Sequence, residues 1–297
     1  METGPDPYYR EKDGDERGSE VGSISSSPGA LHLACSIPIA SLASESRAGS
    51  NSMASQLEDM SVEDLIDEAW EASKPKERAS LARQALSLDP DALDAYVILA
   101  SCVDTFAEKT ALLREAIRRG QIIWADDLAR PPKHFFYGVL ETRPFMRAIF
   151  NLMLLMAKRD LDEAVSLAQK LLRLNADDNM GARYLLLAWL PVLGDWTGIE
   201  KLLKKYKDDY SAEFLYAHCL NAIRRGENAE PALSLAFEYN PHIPALLLAE
   251  ILPAATKASL VSTGSKEEAL SYAEHHQAAW RAVPGALDWL RDHSGTK

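Results

Sequence analysis

One helix ending is written three times in this chain, and it constrains the fold more than any other feature. Ala85–Pro90 reads A-L-S-L-D-P, Leu171–Ala176 reads L-L-R-L-N-A, and Ala236–Pro241 reads A-F-E-Y-N-P. Each closes with a polar residue, an apolar residue, an acid or amide, and then Pro or Ala. Apolar residues recur at three- and four-residue spacing in Leu65, Ile66, Ala69 and Trp70, and again in Leu81, Ala82, Ala85 and Leu86. That spacing marks amphipathic helices. Alternating Val-, Ile- and Thr-rich runs are absent from the sequence, so no sheet is expected. Pro75, Pro90, Gly120, Pro131-Pro132, Gly194, Gly226, Pro241 and Pro244 cut the pattern into short helices joined by turns.

The last two endings lie 65 residues apart, close to twice the 34-residue tetratricopeptide period. The first two lie 86 residues apart, which leaves room for an insertion. The expected fold is therefore all-α: a tetratricopeptide-like helical-repeat solenoid, wound as a right-handed superhelix, over residues 53–297. The insertion falls at about 121–142, and a C-terminal capping region at about 244–292. The register is clearest over 145–178, where Ala164 takes the small position between paired helices. Leu193–Trp196 and Arg225–Asn228 read as turns whose glycines end helices in the left-handed region. Asp177-Asp178 and Asp208-Asp209 are placed to cap the helices that follow. Trp280 and Trp289 flank a Pro-Gly turn and are expected to seal the end of the array.

Residues 1–52 are rich in Gly, Ser, Pro and acids without helical or strand periodicity, and are expected to form a disordered tail. Met53 opens the patterned region and is an alternative start. The net charge of -12 lies wholly in the first third: residues 1–52 carry 8 acids and 4 bases, residues 53–104 carry 12 and 4, and the remaining 193 carry 24 of each. Such a balance argues against nucleic acid as a partner. No apolar run approaches the roughly 18–20 residues of a spanning helix, and the start Met-Glu-Thr-Gly-Pro-Asp-Pro is not a signal peptide. Cys35, Cys102 and Cys219 are too few and too scattered for a disulfide framework, which fits a cytoplasmic setting.

Phosphate-binding, dinucleotide, zinc-protease and nucleophile-elbow motifs are all missing from the sequence. No cofactor, metal or catalytic residue is expected. His275-His276 point about 100° apart on a helix and cannot share an ion, so one should be buried and one exposed. His218 beside Cys219 faces the same objection as a thiol–imidazole pair. Arg183 sits among Leu185, Leu186 and Leu187, where an unpaired guanidinium would be costly. It must meet a carboxylate, internal or brought by a ligand. The 134–147 stretch concentrates His134, Tyr137, Glu141, Arg143 and Arg147. It either binds a peptide or an anion, or its aromatics plug the gap left by the insertion.

Several segments resemble a known family: D-P-D-A-L-D-A-Y-V-I-L-A (89–100), N-P-H-I-P-A-L-L-L (240–248), G-S-K-E-E-A-L-S-Y-A-E-H-H-Q-A-A-W (264–280) and P-G-A-L-D-W-L (284–290). They are similar to the suppressor of tumorigenicity 7 family, and more so to its shorter bacterial relatives, which are tetratricopeptide-like. H-F-F-Y-G-V-L-E-T-R-P-F-M-R (134–147) resembles the bacterial group. The resemblance covers roughly residues 60–292. It implies a helical-repeat scaffold and supplies no catalytic residues. The membrane segments near the N-terminus of eukaryotic members have no counterpart in this sequence.

Two functions follow as expectations. The first is a non-catalytic protein–protein interaction scaffold, holding a peptide or partner protein in a concave groove. Its lining would include Met146, Ile149, Met153, Arg183, Leu187, Phe214, His218 and Asn221, with Arg143 and Arg147 nearby. Glu63, Asp67 and Asp94 stand where a basic carboxylate clamp would be, so a chaperone's C-terminus is not the expected ligand. The alternative is an enzyme of unknown reaction, with His134 and Glu141 as acid–base groups at the 134–147 insertion.

Overall fold

A computed structural model describes residues 60–131, 135–254 and 262–295. The tail 1–52, the Met53 start and His134 lie outside the described residues. Those described are all-helical, with no strand among them. The helices are α1 (Val62–Glu71), α2 (Pro75–Leu88), α3 (Leu93–Cys102), α4 (Phe106–Ile123), α5 (Ala125–Ala129), α6 (Phe135–Gly138), α7 (Arg143–Met156), α8 (Leu161–Leu174), α9 (Ala182–Trp189), α10 (Trp196–Lys205), α11 (Ala212–Arg225), α12 (Glu230–Tyr239), α13 (Ile243–Leu248), α14 (Lys266–Arg281) and α15 (Ala286–His293).

Local chemistry sets the boundaries. Ser61 and Asp64 form a reciprocal capping box at the start of α1, each accepting the other's backbone N–H. Thr105, Asp160, Asp195 and Ser265 cap α4, α8, α10 and α14 through their side-chain oxygens. Gly226 ends α11 at φ 68, a conformation that costs a glycine little.

The threefold helix ending is also a threefold geometry. Asp89, Asn175 and Asn240 stop α2, α8 and α12 at φ/ψ of -135/107, -133/87 and -148/97. Each still donates its N–H back into its helix, to Ala85, Leu171 and Ala236. The side chains of Asp89 and Asn240 then accept the N–H of Asp91 and His242, at 2.8 and 3.0 Å. Tyrosine hydroxyls clamp the same turns from later in the chain. Tyr96 donates to the Pro90 carbonyl at 3.0 Å, Tyr206 to Ala176 at 3.3 Å and Tyr216 to Asn240 at 2.7 Å. Of the two expected caps the first is present, with both carboxylate oxygens of Asp178 accepting the N–H groups of Ala182 and Arg183. For Asp209, the one backbone N–H it accepts among the described residues is that of Ser211, ahead of α11.

Packing runs mainly between neighbours: α1 on α2, α2 on α3, α3 on α4, α4 on α7, α7 on α8, α8 on α9, and α11 on α12. Three apolar cores follow one another along the chain, the first around α1–α3, the second from α3 to α11, the third from α11 to α15. Trp196 borders the second and third cores. Helix α3 is buried from Leu93 to Ala100 and apolar there apart from Asp94, as a helix enclosed on all sides must be. Ala164 is fully buried in the core that holds α7 and α8.

Two departures from the sequence reading concern position. Helical structure continues past residue 121 to Ile123, so the rhythm breaks at Trp124. The C-terminal helices also do more than cap the end. Helix α14 reaches back to pack on α9 and α11 as well as on α13. Its buried face is Ala269, Tyr272, Ala273, His276, Ala279 and Trp280, a single helical stripe. The gap left against Leu187, Trp196 and Ala217 is about 10 Å³, barely room for one water.

Two stability predictions follow. Gly120 is buried where α4 meets α7, and a Cβ there would collide with the Phe145 ring. Gly120→Ala should therefore cost about 1–3 kcal/mol by denaturant titration despite its better helix propensity, whereas Gly138→Ala, which has open space, should be nearly silent. The second concerns His276, buried and stacked 4.3 Å from Tyr272. Burial, helped by the charge of His275, holds its pKa at about 3. Between that value and the unfolded value near 6.5 only the unfolded chain takes up the proton, so this contribution is lost as pH falls below about 6.5. The stability gap between wild type and His276→Phe should change by about 2 kcal/mol from pH 7 to pH 5, in favour of the variant at the lower pH.

Candidate functional site

The structure separates the residues that the sequence groups into one groove. Met146, Ile149 and Met153 on α7, Leu187 on α9 and Phe214 on α11 are buried in the core, none more than 2% exposed. They cannot line an open groove. On α7 the register is off by one residue: Asn151 and Leu154 are exposed and Arg147 and Phe150 half-buried, at the i, i+3, i+4, i+7 spacing of one helix face, with Phe150 also packed against the core. Both stripes of α7 are apolar enough to be read as core or groove, because Phe150 and Leu154 match Ile149 and Met153 in hydropathy. Contacts to α3, α4 and α8 decide between them. Leu187 has its own reason for burial, since α14 covers that side of α9.

On α11, His218 is exposed and Cys219 is fully buried, with burial pushing the thiol up to about 12. They do not form a pair. Asn221 is half-buried, and its Oδ1 has no hydrogen-bond partner among the described residues.

The three arginines go to three different places. Arg183 is held from several sides: Nε donates to Asp209 at 2.8 Å, Nη1 to the Asp178 carboxylate at 3.1 Å and to its carbonyl at 3.3 Å, and Nη2 to the Tyr184 hydroxyl. Its guanidinium lies 4.2 Å from the Tyr184 ring centre and 5.2 Å from that of Tyr206. Burial raises the Asp178 carboxyl, against the pull of two backbone amides and Arg183. Burial also raises Asp209, but Ser211 and Arg183 outweigh it and hold that carboxyl below its usual range. Burial lifts the Tyr184 phenol to about 12. This is a closed internal tie between the turns before α9 and α11. Arg183 needs a carboxylate at this half-buried position, and the chain supplies two.

Arg147 forks onto Asp94 of α3 through Nε, at 2.8 Å, and Nη2. Asp94 is buried, so this bidentate pair explains how a carboxylate sits inside α3. Arg143 turns back to the insertion, where Nε donates to the Tyr137 carbonyl at 2.9 Å and the guanidinium covers the Tyr137 ring at 5.0 Å. Tyr137 has φ 75, unusual for an aromatic residue. Its N–H donates to Thr142, whose hydroxyl donates to Val139. Phe136 is fully buried, 6.1 Å from the ring of Phe145. Among the described residues, then, the insertion is stitched down by its own polar groups and plugged by Phe136. Glu141 is exposed and makes no ion pair among the described residues, so it does not pair with Arg143 or Arg147.

Among the described residues no three His, Cys, Asp or Glu side chains come together to hold a metal, and no helix is long and apolar enough to cross a membrane. Sequence reasoning missed the solvent face of α7. Asn151 was its one available signal, a polar residue among nine apolar ones from Ala148 to Ala157.

Arg183→Ala should cost about 3 kcal/mol, because it leaves Asp178 buried without its cation. Arg183→Lys should recover only part of this, since an ammonium cannot fork between two carboxylates. Thermal melting of the two variants checks it, and unchanged melting for Arg183→Ala would show that the tie is not structural.

No family model matches the chain. Among curated proteins it is similar to suppressor of tumorigenicity 7 protein-like of Rattus norvegicus, 28% identical over 262 residues, covering 76% of this chain and 45% of the relative. The Homo sapiens protein of the same description is also 28% identical, with 76% and 44% covered. Suppressor of tumorigenicity 7 protein of Macaca fascicularis is 25% identical over 281 residues, with 76% and 51% covered. The chain spans about half the length of the curated relatives it matches.

Proposed function

We propose that the chain is a compact relative of the suppressor of tumorigenicity 7 proteins and acts as a non-catalytic scaffold for protein–protein interaction in the cytoplasm. In this reading its helix pairs form a tetratricopeptide-like right-handed solenoid. The neighbour-on-neighbour packing and the threefold helix ending support it. A peptide or partner protein is the ligand. Neither nucleic acid nor a membrane is.

The observation that carries this reading is the open face of α7. Leu154 is 39% exposed and follows Asn151, Phe150 and Arg147 at helical spacing. The other side of the helix is spent on core contacts. Arg147 is already paired with Asp94 and is held in a fixed position. An exposed aliphatic and an exposed amide on a rigid helix, beside the half-buried ring of Phe150, suit the anchors of a protein interface. Over α9 and α11 the corresponding side is covered by the chain's own α14, so the reading moves binding to the earlier helices.

Cross-linking of the full chain in cells, followed by mass spectrometry, tests it with the variant Asn151→Lys/Leu154→Glu. Both positions are exposed, so stability should stay within about 0.5 kcal/mol. A specific partner should be lost from the variant at unchanged melting temperature. A partner retained by the variant would contradict it.

A further inference from the structure

An open groove of about 360 Å³ lies between α12 and the end of α15, lined by Glu230, Leu233, Ser234, Phe237, His293 and Ser294. None of these belongs to the α7 face. Leu233 is buried, while Phe237, 38% exposed, offers an uncovered ring to the groove. The polar end is more unusual. The His293 ring stacks on Trp289 at 4.1 Å, and its Nδ1 lies 2.7 Å from the Trp289 carbonyl oxygen. A carbonyl only accepts, so Nδ1 carries the hydrogen, and in the neutral ring Nε2 is an acceptor. That Nε2 faces Glu230 Oε1 across 3.9 Å. With the ring neutral, two acceptors thus face each other at a distance too long for a hydrogen bond between them.

We propose that this groove docks a basic side chain, lysine or arginine, from a partner peptide. The cation lies between Glu230 and His293, and its alkyl stem lies along Leu233 and Phe237. A nitrogen placed between Oε1 and Nε2 reaches both at about 2.9 Å, the ordinary hydrogen-bond length. Lysine and arginine stems pack on apolar surface while their heads stay polar, and the Phe237 ring face adds attraction for a cation. The surrounding charge is complementary. Glu238 and Asp292 are exposed and make no ion pair among the described residues, and the one arginine of α15, Arg291, is tied to Asp288 at 2.7 Å. An anionic partner would meet the Glu230 carboxylate there.

The test titrates the full chain at physiological salt with a twelve-residue amphipathic Lys/Leu peptide. A Glu/Leu peptide of the same pattern and the free polyamine spermidine serve as comparisons. Nuclear magnetic resonance follows the Trp289 indole and His293 ring. The Lys/Leu peptide should shift both signals, and Glu230→Gln and Phe237→Ser should each weaken binding about tenfold. Both positions are exposed, and a melting curve confirms that the variants fold. Glu230→Lys should abolish binding of the Lys/Leu peptide. The proposal is overturned if the indole and ring signals do not move. It is equally overturned if the two variants bind as wild type does, which would mean diffuse attraction to an acidic protein, or if spermidine binds as tightly as the peptide.

Discussion

A short amphipathic helix has an apolar side that it cannot bury alone, and among the described residues neighbouring helices supply the cover. The consequence is clearest at α7, which packs on α3, α4 and α8 at once. Its buried side, Phe145, Met146, Ile149, Leu152, Met153 and Met156, forms the middle of the largest core. That stripe is the main apolar contact between the first helices and the rest, beside the Arg114–Glu163 pair from α4 to α8. The close approach at Gly120 and the Phe136 plug are secondary devices that let α4 and the insertion fit around it.

Charge has a different task. Arg147–Asp94 and Arg183 with Asp178 and Asp209 are half-buried or buried, and each links parts of the chain distant in sequence. Such ties add little net stability compared with apolar packing, but breaking one leaves an expensive lone charge. They fix where helices and turns sit relative to one another. Exposed arginines contribute little, whether they pair on their own helix, as Arg118 and Arg291 do, or across helices, as Arg114 does with Glu163.

Much of the fold was legible because its signals are local. The Asp89, Asn175 and Asn240 endings, the Asp178 cap and the left-handed glycines at 194 and 226 each follow from a few adjacent residues. The division of His275 and His276 into one exposed and one buried followed from helix geometry alone. The candidate site was not legible, for a physical reason. Which stripe of α7 faces inward depends on three helices elsewhere in the chain, and both stripes are apolar. The return of α14 to α9 and α11 is likewise non-local, and no spacing within Ala182–Trp189 announces that Leu187 will be covered. The three arginines looked like a cluster because they are cationic and one helix turn or one repeat apart. Their carboxylates lie 53, 5 and 26 residues away or, for Arg143, are replaced by a carbonyl.

Helix α7 presents Leu154 to solvent and keeps Met153 in the core. Thiol labelling of single cysteines reads this directly, in a chain whose own Cys35, Cys102 and Cys219 are replaced by alanine. Under native conditions Leu154→Cys should react at nearly the rate of a free thiol, and Met153→Cys should react only as fast as the protein unfolds. Rapid labelling of Met153→Cys with protection of Leu154→Cys, in a chain that still melts cooperatively, would contradict the account.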